Sequence, residues 1–398
     1  ASDTGHFRFY PKGTMLKELL EKFADQIAHQ IGAVRIETPM IYKLEGDIAE
    51  QASRFLEKDY RFKIGGRELV LRFAGDFGLF KMMSSAILSY KHLPLRVYEL
   101  TPSFRYERSG ECVGLRRLRA FTMPDVHCFC KDLKEGMDEY KWLLKHYTHL
   151  ANSMEIEYVL AFRVVEQFYK ENREWFRELV QIVGKPALIE LLPEMKHYWV
   201  VKNEFQFIDS VKGNAQLCTV QLDIEDSERY GIYYVDEKGQ KKGCIIVHSS
   251  MGSIERWIYA LLEQAAKDIK RGIAPMLPVW LSPIQVRIIP VSPDFLEESL
   301  RVSNELEKHE IRVDVDDRYE TVSAKVRDAE REWIPYIVVV GKREIETGKL
   351  TVRVRREGLK EMSLEELVKE ILNKTSDKPK IPFYLPKLLS KRPQFVGR

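Results

Sequence analysis

The chain has 398 residues, 44% of them hydrophobic and 31% charged, and a net charge of +3. This length suffices for about two or three domains with hydrophobic cores. The small net charge excludes a polycation that coats nucleic acid, so nucleic-acid contacts would need local patches. No apolar run approaches the ~18 residues of a transmembrane helix, so we expect no membrane contact. The five cysteines lack zinc-finger spacing, which predicts free thiols in a reducing compartment, the cytoplasm.

The first part of the chain predicts helices and antiparallel strands. Residues 15–32 have helical apolar spacing. A strand interrupted by Pro39 follows over residues 33–42, and because Pro39 cannot donate to a central ladder, the strand should lie at an edge or an interface. Strands joined by hairpins are expected at residues 93–107, 115–129 and 203–225, with helices near residues 133–153 and 165–183. Hairpins predict an α+β domain with a mostly antiparallel sheet flanked by helices.

The pattern changes after the proline-rich residues 273–283. Apolar strands then alternate with amphipathic helices, which predicts a smaller α/β domain. We expect domains at residues 1–276 and 277–374, followed by a basic tail at residues 375–398. The tail is expected to be extended and docked on RNA or on the body of the protein.

One short hairpin concentrates residues that suit a nucleoside triphosphate. Arg105 and Arg117 can each hold a phosphate through paired N–H groups, and Phe121 can stack on a purine. The alternative is a solvated hairpin with cross-strand Arg–Glu pairs.

A second motif is MGSIERW at residues 251–257. Gly252 predicts a tight turn at a helix start, with Arg256 in the first turn. A helix N-terminus favours anions, so an arginine there suggests contact with a ligand. The alternative is an ordinary helix capped by Ser250 or Ser253.

Together these residues resemble the three motifs of class II aminoacyl-tRNA synthetases. Pro39 matches the motif 1 proline, Arg105 and Glu107 match motif 2, and Arg256 matches motif 3. Several stretches resemble the threonyl-tRNA synthetases within this class, in an archaeal-like form: SYKHLPLR, GLRRLRAFTMPDVH, CTVQLD, GSIER and PVWLSPIQV.

The resemblance implies a two-step reaction. Threonine and ATP, with Mg²⁺, would give threonyl-adenylate, and the threonyl group would pass to the 3′ end of tRNA(Thr). Arg105 and Arg256 would be catalytic, and ATP would be bound by Arg105, Glu107, Arg117, Phe121, Gln216 and Arg256. Asp125 and Gln221 would bind the amino acid. A histidine that assists transfer in this family has no counterpart in residues 45–60, so no general base is assigned.

The resemblance also implies a zinc ion that reads the amino and hydroxyl groups of threonine. His127 and His248 match two ligand positions, and Asp76 stands where the family has cysteine. Two imidazoles and a carboxylate can hold zinc, although the set is harder than one with a thiolate. The interval from His248 to Gly252 is also one residue shorter than the family pattern.

Further implications concern partners. Serine retains the hydroxyl group, so binding alone discriminates against it poorly. The family's N-terminal editing domain is not in this sequence, and we expect either its removal or editing by a separate protein in trans. Glu346 and Arg355 match positions that contact anticodon bases, and Pro39 implies a homodimer.

Two alternatives stay open. One is another enzyme of the class, above all prolyl-tRNA synthetase, against which the Asp76, His127 and His248 set argues. The other is a non-catalytic paralogue that binds nucleic acid. Such relatives tend to lose the phosphate-binding arginines, whereas Arg105, Arg117 and Arg256 are present here.

Overall fold

The structure, a computed structural model, describes residues 2–53 and 58–395. The chain divides into two compact units: a first unit of Ala1–Phe7 and Ala24–Leu261, and a second unit of Arg8–Phe23 and Leu262–Arg398. The helices Pro11–Gln30 and Ile254–Lys270 contribute residues to both units. In the described part of the chain, no helix combines the length and apolarity needed to cross a bilayer.

Strands and helices occur in both units. The strands, in chain order, are β1 (Val34–Arg35), β2 (Ile41–Lys43), β3 (Arg61–Ile64), β4 (Arg67–Leu71), β5 (Leu88–Ser89), β6 (Leu95–Phe104), β7 (Ala120–Cys130), β8 (Tyr158–Val165), β9 (Ala187–Leu192), β10 (Trp199–Ile208), β11 (Asn214–Asp223), β12 (Tyr233–Val235), β13 (Lys241–Gly243), β14 (Ile245–Ser250), β15 (Val286–Pro290), β16 (Val313–Val315), β17 (Tyr336–Val340), β18 (Leu350–Val354) and β19 (Gly358–Met362). The helices are α1 (Pro11–Gln30), α2 (Gly46–Ser53), α3 (Asp76–Met83), α4 (Leu133–Ser153), α5 (Glu166–Glu171), α6 (Arg173–Val183), α7 (Asp226–Arg229), α8 (Ile254–Lys270), α9 (Leu296–Lys308), α10 (Val322–Arg331), α11 (Lys342–Thr347) and α12 (Leu364–Lys374).

The first unit is built on an eight-stranded sheet in the order β1-β6-β7-β14-β11-β10-β8-β9. The pairs β1–β6 and β8–β9 at its two margins are parallel, and every pair between them is antiparallel. The long hairpin is β6–β7, paired from Leu95 with Phe129 to Phe104 with Ala120. These pairings confirm the predicted antiparallel sheet.

Helix α4 covers one face of this sheet. The carboxylate of Asp132 caps it by accepting from the backbone N–H of Glu135 at 2.8 Å. Its apolar residues recur every three or four positions, so one side is buried against β7, β11 and β14: Tyr140, Leu143, Leu144, Tyr147, Leu150 and Ala151. The opposite face of the sheet is therefore left for a binding site.

The strand expected over residues 33–42 is interrupted at Pro39, as predicted. It is divided into β1 and β2, which lie in different sheets, and Pro39 is exposed between them. Pro39 cannot continue a ladder. The preceding Thr38 is held elsewhere, because its N–H donates to the buried carboxylate of Glu99 at 2.7 Å. The expected edge position is confirmed for β1, which ends the eight-stranded sheet.

The second unit has a five-stranded sheet in the order β16-β15-β17-β18-β19. Strand β15 runs parallel to both β16 and β17, whereas β18 and β19 form an antiparallel extension. Helices α9 and α10 connect the parallel strands, as the alternating pattern predicts. The fold class, an α+β unit followed by a smaller α/β unit, is confirmed.

The basic tail is docked on the second unit. The backbone N–H of Val315 donates to the carbonyl of Lys387, which covers the edge of β16. Lys387 and Lys380 pair with Glu307 and Glu310 at 2.7 and 2.9 Å. These cations are therefore paired with carboxylates of the body.

Candidate functional site

The hairpin β6–β7 positions the predicted nucleotide-binding residues. Arg105 follows the last residue of β6, and its Nε donates to the carbonyl of Phe73 at 3.1 Å. Its guanidinium carbon lies 5.3 Å from the ring centre of Phe121, which is in β7. Burial lowers the pKa of Arg105, and the charges of Asp125 and Glu107 oppose that shift. The hairpin thus presents a fixed positive charge beside an aromatic ring.

All six predicted ATP-binding residues line one cleft of about 730 Å³ in the first unit. These residues are Arg105, Glu107, Arg117, Phe121, Gln216 and Arg256. Leu118, Met123 and Thr219 are among the other residues that line the cleft. Gln221 also lines it, as does Lys58, which sequence reasoning did not single out. The sequence-distant motifs therefore meet in one place.

Two of these residues are paired with each other. Arg117 Nη2 lies 2.9 Å from Glu107 Oε2, and Lys58 Nζ lies 3.4 Å from the same oxygen. The hydrogen bond to Glu107 raises the pKa of Arg117. Arg117 is 41% exposed, so its guanidinium is accessible for exchanging this partner with a phosphate.

Arg256 is fixed by the start of α8. Its guanidinium donates to the carbonyls of Arg116 and Gln216 at 3.1 and 2.8 Å. Burial, together with the nearby charges of Arg105 and Arg117, lowers its pKa to about 10. Like charges held this close are unfavourable unless an anion joins them, which suits a polyphosphate.

Gly252 is required by the turn before α8. Its φ is +90°, and a Cβ there would lie 2.8 Å from the carbonyl oxygen of Leu217. Three residues on, Glu255 accepts from the backbone N–H of Thr122 at 2.9 Å, which ties α8 to β7. The turn and this contact set the position of Arg256.

A smaller pocket of about 140 Å³ adjoins the cleft and shares Arg105, Met123, Thr219 and Gln221 with it. Its lining includes the predicted residues Asp76, Asp125, His127, Gln221 and His248. It also includes residues that the sequence did not reveal: Gln51, Tyr198, Thr219, Asp226 and Tyr230. A donor-rich cleft and an acid-rich pocket thus lie side by side.

Strand register explains how the pocket residues meet. His127 in β7 pairs with His248 in β14, and His248 pairs in turn with Gln221 in β11. Paired residues on neighbouring strands project from the same face. Asp125 precedes His127 by two positions and shares that face. Asp76, the first residue of α3, lines the pocket as well.

The ionisable groups of the pocket have shifted pKa values. Burial raises the pKa of Asp76, and it raises that of Asp125 to about 7. Burial and the charge of His248 hold the pKa of His127 well below its usual range. Burial also disfavours the charged form of His248, but the hydrogen bond and charge of Asp223 outweigh it and raise the pKa.

The hydrogen bonds of the predicted metal ligands show whether their ligand atoms are available. In the part of the chain that the structure describes, no hydrogen bond or ion pair reaches the ring nitrogens of His127 or pairs the Asp76 carboxylate with another side chain. His248 Nε2 donates to Asp223 Oδ2 at 2.7 Å, which leaves Nδ1 available. Such carboxylate–histidine pairs orient metal-bound imidazoles, so the chemistry of the donors fits a zinc ion.

The ligand atoms that already converge belong to a different set. Within the described ranges, Asp223, Asp226 and His248 form the group whose ligand atoms lie within 4.8 Å of one another. Asp223 and Asp226 end β11 and begin α7, and no spacing pattern pointed to them. His248 is common to both sets.

The predicted anticodon residues precede and follow β18. Glu346 lies in α11, before β18, with a 62% exposed side chain 3.6 Å from Lys342. Arg355 follows β18 at the other end and donates to the carbonyls of Pro275 and Glu330 at 2.5 and 2.9 Å.

The second unit also has a cleft, which the sequence did not reveal. It encloses about 410 Å³ near the carboxyl ends of the parallel strands β15 and β16, where ligands often bind in such sheets. Tyr319, which lines it, is 98% exposed. Lys325 is 5% exposed, and its ammonium has no hydrogen bond or ion pair among residues 2–53 and 58–395.

Comparisons with known proteins agree with the two units. Residues 60–265 match the family "tRNA synthetase class II core domain (G, H, P, S and T)", and residues 285–374 match "Anticodon binding domain". The threonine–tRNA ligases of Pyrococcus horikoshii and Thermococcus onnurineus are 48% and 47% identical over 403 aligned positions, which include 100% of this chain. The chain spans 64% of the length of each.

A solved structure has the same fold. The RNA-binding domain of threonyl-tRNA synthetase from Cryptosporidium parvum aligns with a TM-score of 0.80 at 23% identity, covering 93% of both chains. The resemblance to threonyl-tRNA synthetases noted from the sequence is confirmed. The core-domain match includes more than half of the residues of this chain, and the chain therefore belongs to the class II tRNA synthetase family.

Proposed function

We propose that the protein activates threonine with ATP to form threonyl-adenylate, and then transfers the threonyl group to the 3′ end of tRNA(Thr). One observation carries this proposal: an acid-rich pocket and an arginine-rich cleft adjoin each other and share Arg105. An amino acid in the pocket would direct its carboxylate at the α-phosphate of a nucleotide in the cleft.

In the first step, a carboxylate oxygen of threonine attacks the α-phosphorus of ATP, and pyrophosphate leaves. Arg105 would bind the α-phosphate and neutralise the charge that develops there. Arg117 would exchange Glu107 for the γ-phosphate, and Phe121 and Arg256 would enclose the adenine. Mg²⁺ would accompany the ATP. Positioning and charge would supply most of the acceleration.

In the second step, a terminal ribose hydroxyl of the tRNA attacks the threonyl carbonyl and AMP leaves. The residues of this chain would hold the adenylate, with Asp125 bound to the ammonium and Gln221 at the amino acid. No side chain is assigned as the general base.

The zinc ion is part of the proposal. Asp76, His127 and His248 would hold it, and Asp223 would orient His248 through its 2.7 Å hydrogen bond. When bound, the ion supplies a Lewis-acid site for the amino and hydroxyl groups of threonine. The convergent group of Asp223, Asp226 and His248 is the competing ligand set.

Metal analysis of two variants separates the ligand sets. We expect Asp76→Ala to lose bound zinc and threonine affinity together, while Asp226→Ala retains the zinc. Full zinc content in Asp76→Ala, with loss in Asp226→Ala, would transfer the site to the competing set.

The tRNA contacts and assembly also remain proposals. Glu346 and Arg355 would contact anticodon bases, and the cleft at Lys325 offers a further cation for the same RNA.

The segment at Pro39 would form a C2 homodimer, since the exposed edge strand β1 needs a partner. The five unpaired cysteines support a cytoplasmic location.

ATP–pyrophosphate exchange with single amino acids tests the function. We expect exchange with threonine. Exchange with proline alone would identify a prolyl enzyme, and no exchange with any amino acid would favour a non-catalytic paralogue.

A further inference from the structure

Gln51 is a polar side chain on the buried apolar side of α2. Its neighbours there are Ile48 and Ala52, which pack in a core with Val70, Phe73 and Phe77. Gln51 itself is 7% exposed, although its position in this core would suit an apolar residue.

The carbonyl oxygen of Gln51 has no hydrogen-bond partner among the residues that the structure describes. Its Oε1 is buried and accepts no hydrogen bond from any residue in the ranges 2–53 and 58–395. A buried acceptor left unpaired destabilises the folded chain, because it has lost its hydrogen bonds to water. Such a group needs an explanation, and one explanation is a partner that arrives with a ligand.

Gln51 also lines the pocket that contains Asp76, Asp125 and His127. It does not line the cleft of Arg117 and Arg256. The pocket is rich in acceptors, so its occupant must bring donors, as an amino acid with an ammonium and a hydroxyl group does.

We propose that Gln51 is a substrate-binding residue whose Oε1 accepts a hydrogen bond from an N–H or O–H donor of the bound amino acid. This inference rests on the proposed function and adds a contact to the same pocket. Gln51 does not ionise, so its role is to position the amino acid rather than to transfer a proton.

Gln51→Met tests the inference, because methionine has a similar shape without the acceptor. In ATP–pyrophosphate exchange with the full chain, we expect the KM for threonine to rise about 3- to 10-fold, while the KM for ATP stays within about twofold. The variant without ligand should unfold at the same temperature as the wild type or a higher one. The rise in that temperature on adding threonine should shrink.

Ser303→Ala is the matched control. The Ser303 hydroxyl is also buried without a partner in the described chain, but it lies in α9 of the second unit, so the KM for threonine should not change. An unchanged KM for threonine in Gln51→Met would overturn the inference, as would a lower unfolding temperature with both KM values raised together. Wild-type protein that gives no exchange with threonine would instead overturn the proposed function.

Discussion

Buried charges occur in both units, but they are arranged differently. In the second unit, Arg287 and Asp314 are completely buried and form two hydrogen bonds of 3.0 and 2.9 Å. Glu332 and Arg392 complete this group, which we call the Arg287 cluster. In the pocket of the first unit, the described residues offer no such partner to Asp76 or His127.

The difference shows how to read a buried ionisable group. Burying a charged group without a counter-charge or hydrogen bonds costs free energy. A buried group that is paired therefore has a structural explanation, whereas one that is unpaired points to a ligand as its partner. By this criterion the Arg287 cluster stabilises the second unit, whereas the acid-rich pocket suits the cation and the amino acid of the proposed function.

The largest expected effect comes from removing a pocket charge. Arg105→Ala should lower adenylate formation by at least about 100-fold, since its charge is used in the transition state. Threonine-dependent pyrophosphate exchange measures this, and a filter assay with tRNA(Thr) should show nearly unchanged binding. Arg163→Ala, an exposed arginine paired with Glu190 on the same sheet, is the control and should retain activity. Equal loss of exchange and tRNA binding in Arg105→Ala would contradict the assigned role.

Replacing one buried aspartate of each unit by asparagine tests the difference between the two groups of buried charges. Asp314→Asn should cost about 3–5 kcal/mol of the free energy of unfolding, because it leaves buried arginines without a counter-charge. Asp76→Asn should leave the metal-free protein at least as stable as the wild type, because it removes an uncompensated buried carboxylate. It should also abolish threonine-dependent exchange. Urea unfolding after metal removal gives both free energies, and comparable losses in the two variants would refute the distinction.

A smaller effect is expected in the pH dependence of the free energy of unfolding. Burial disfavours the charged form of Glu332, but Arg287 and Lys12 outweigh it and lower its pKa to about 2. The stabilisation is therefore full above the unfolded value near 4.5 and is lost as the pH falls toward 2.

Glu332→Gln should cost about 2–3 kcal/mol at pH 7, and much less at pH 3. Urea unfolding at both pH values measures this difference. Glu305→Gln, which breaks an exposed pair with Lys308, should change nothing measurable. A pH-independent cost of Glu332→Gln would exclude the ion pair as its cause.

Much of the fold could be predicted because its signals are local. The hairpin β6–β7 follows from alternating residues around a polar turn, and α4 follows from apolar spacing. The interruption at Pro39 was predicted, but the division of the two parts between different sheets was not, because the contact of Thr38 with Glu99 is not local.

The site was predictable where residue types matched motifs, and not elsewhere. Arg105, Phe121 and Arg256 meet as the resemblance implied. Gln51 and Asp226 reach the pocket only through tertiary packing, so no local pattern reveals them. The tail likewise finds its partners across the chain, as the ion pair between Lys387 and Glu307 illustrates.

In the proposed function, the pocket groups that lack partners among the described residues recognise an amino acid with a hydroxyl group. Titration calorimetry of the zinc-loaded full chain with threonine and with valine, which lacks that group, tests it most directly. Because buried polar groups would be left unmatched by valine, we predict at least about 100-fold tighter binding of threonine. Equal affinity for the two amino acids would contradict the account.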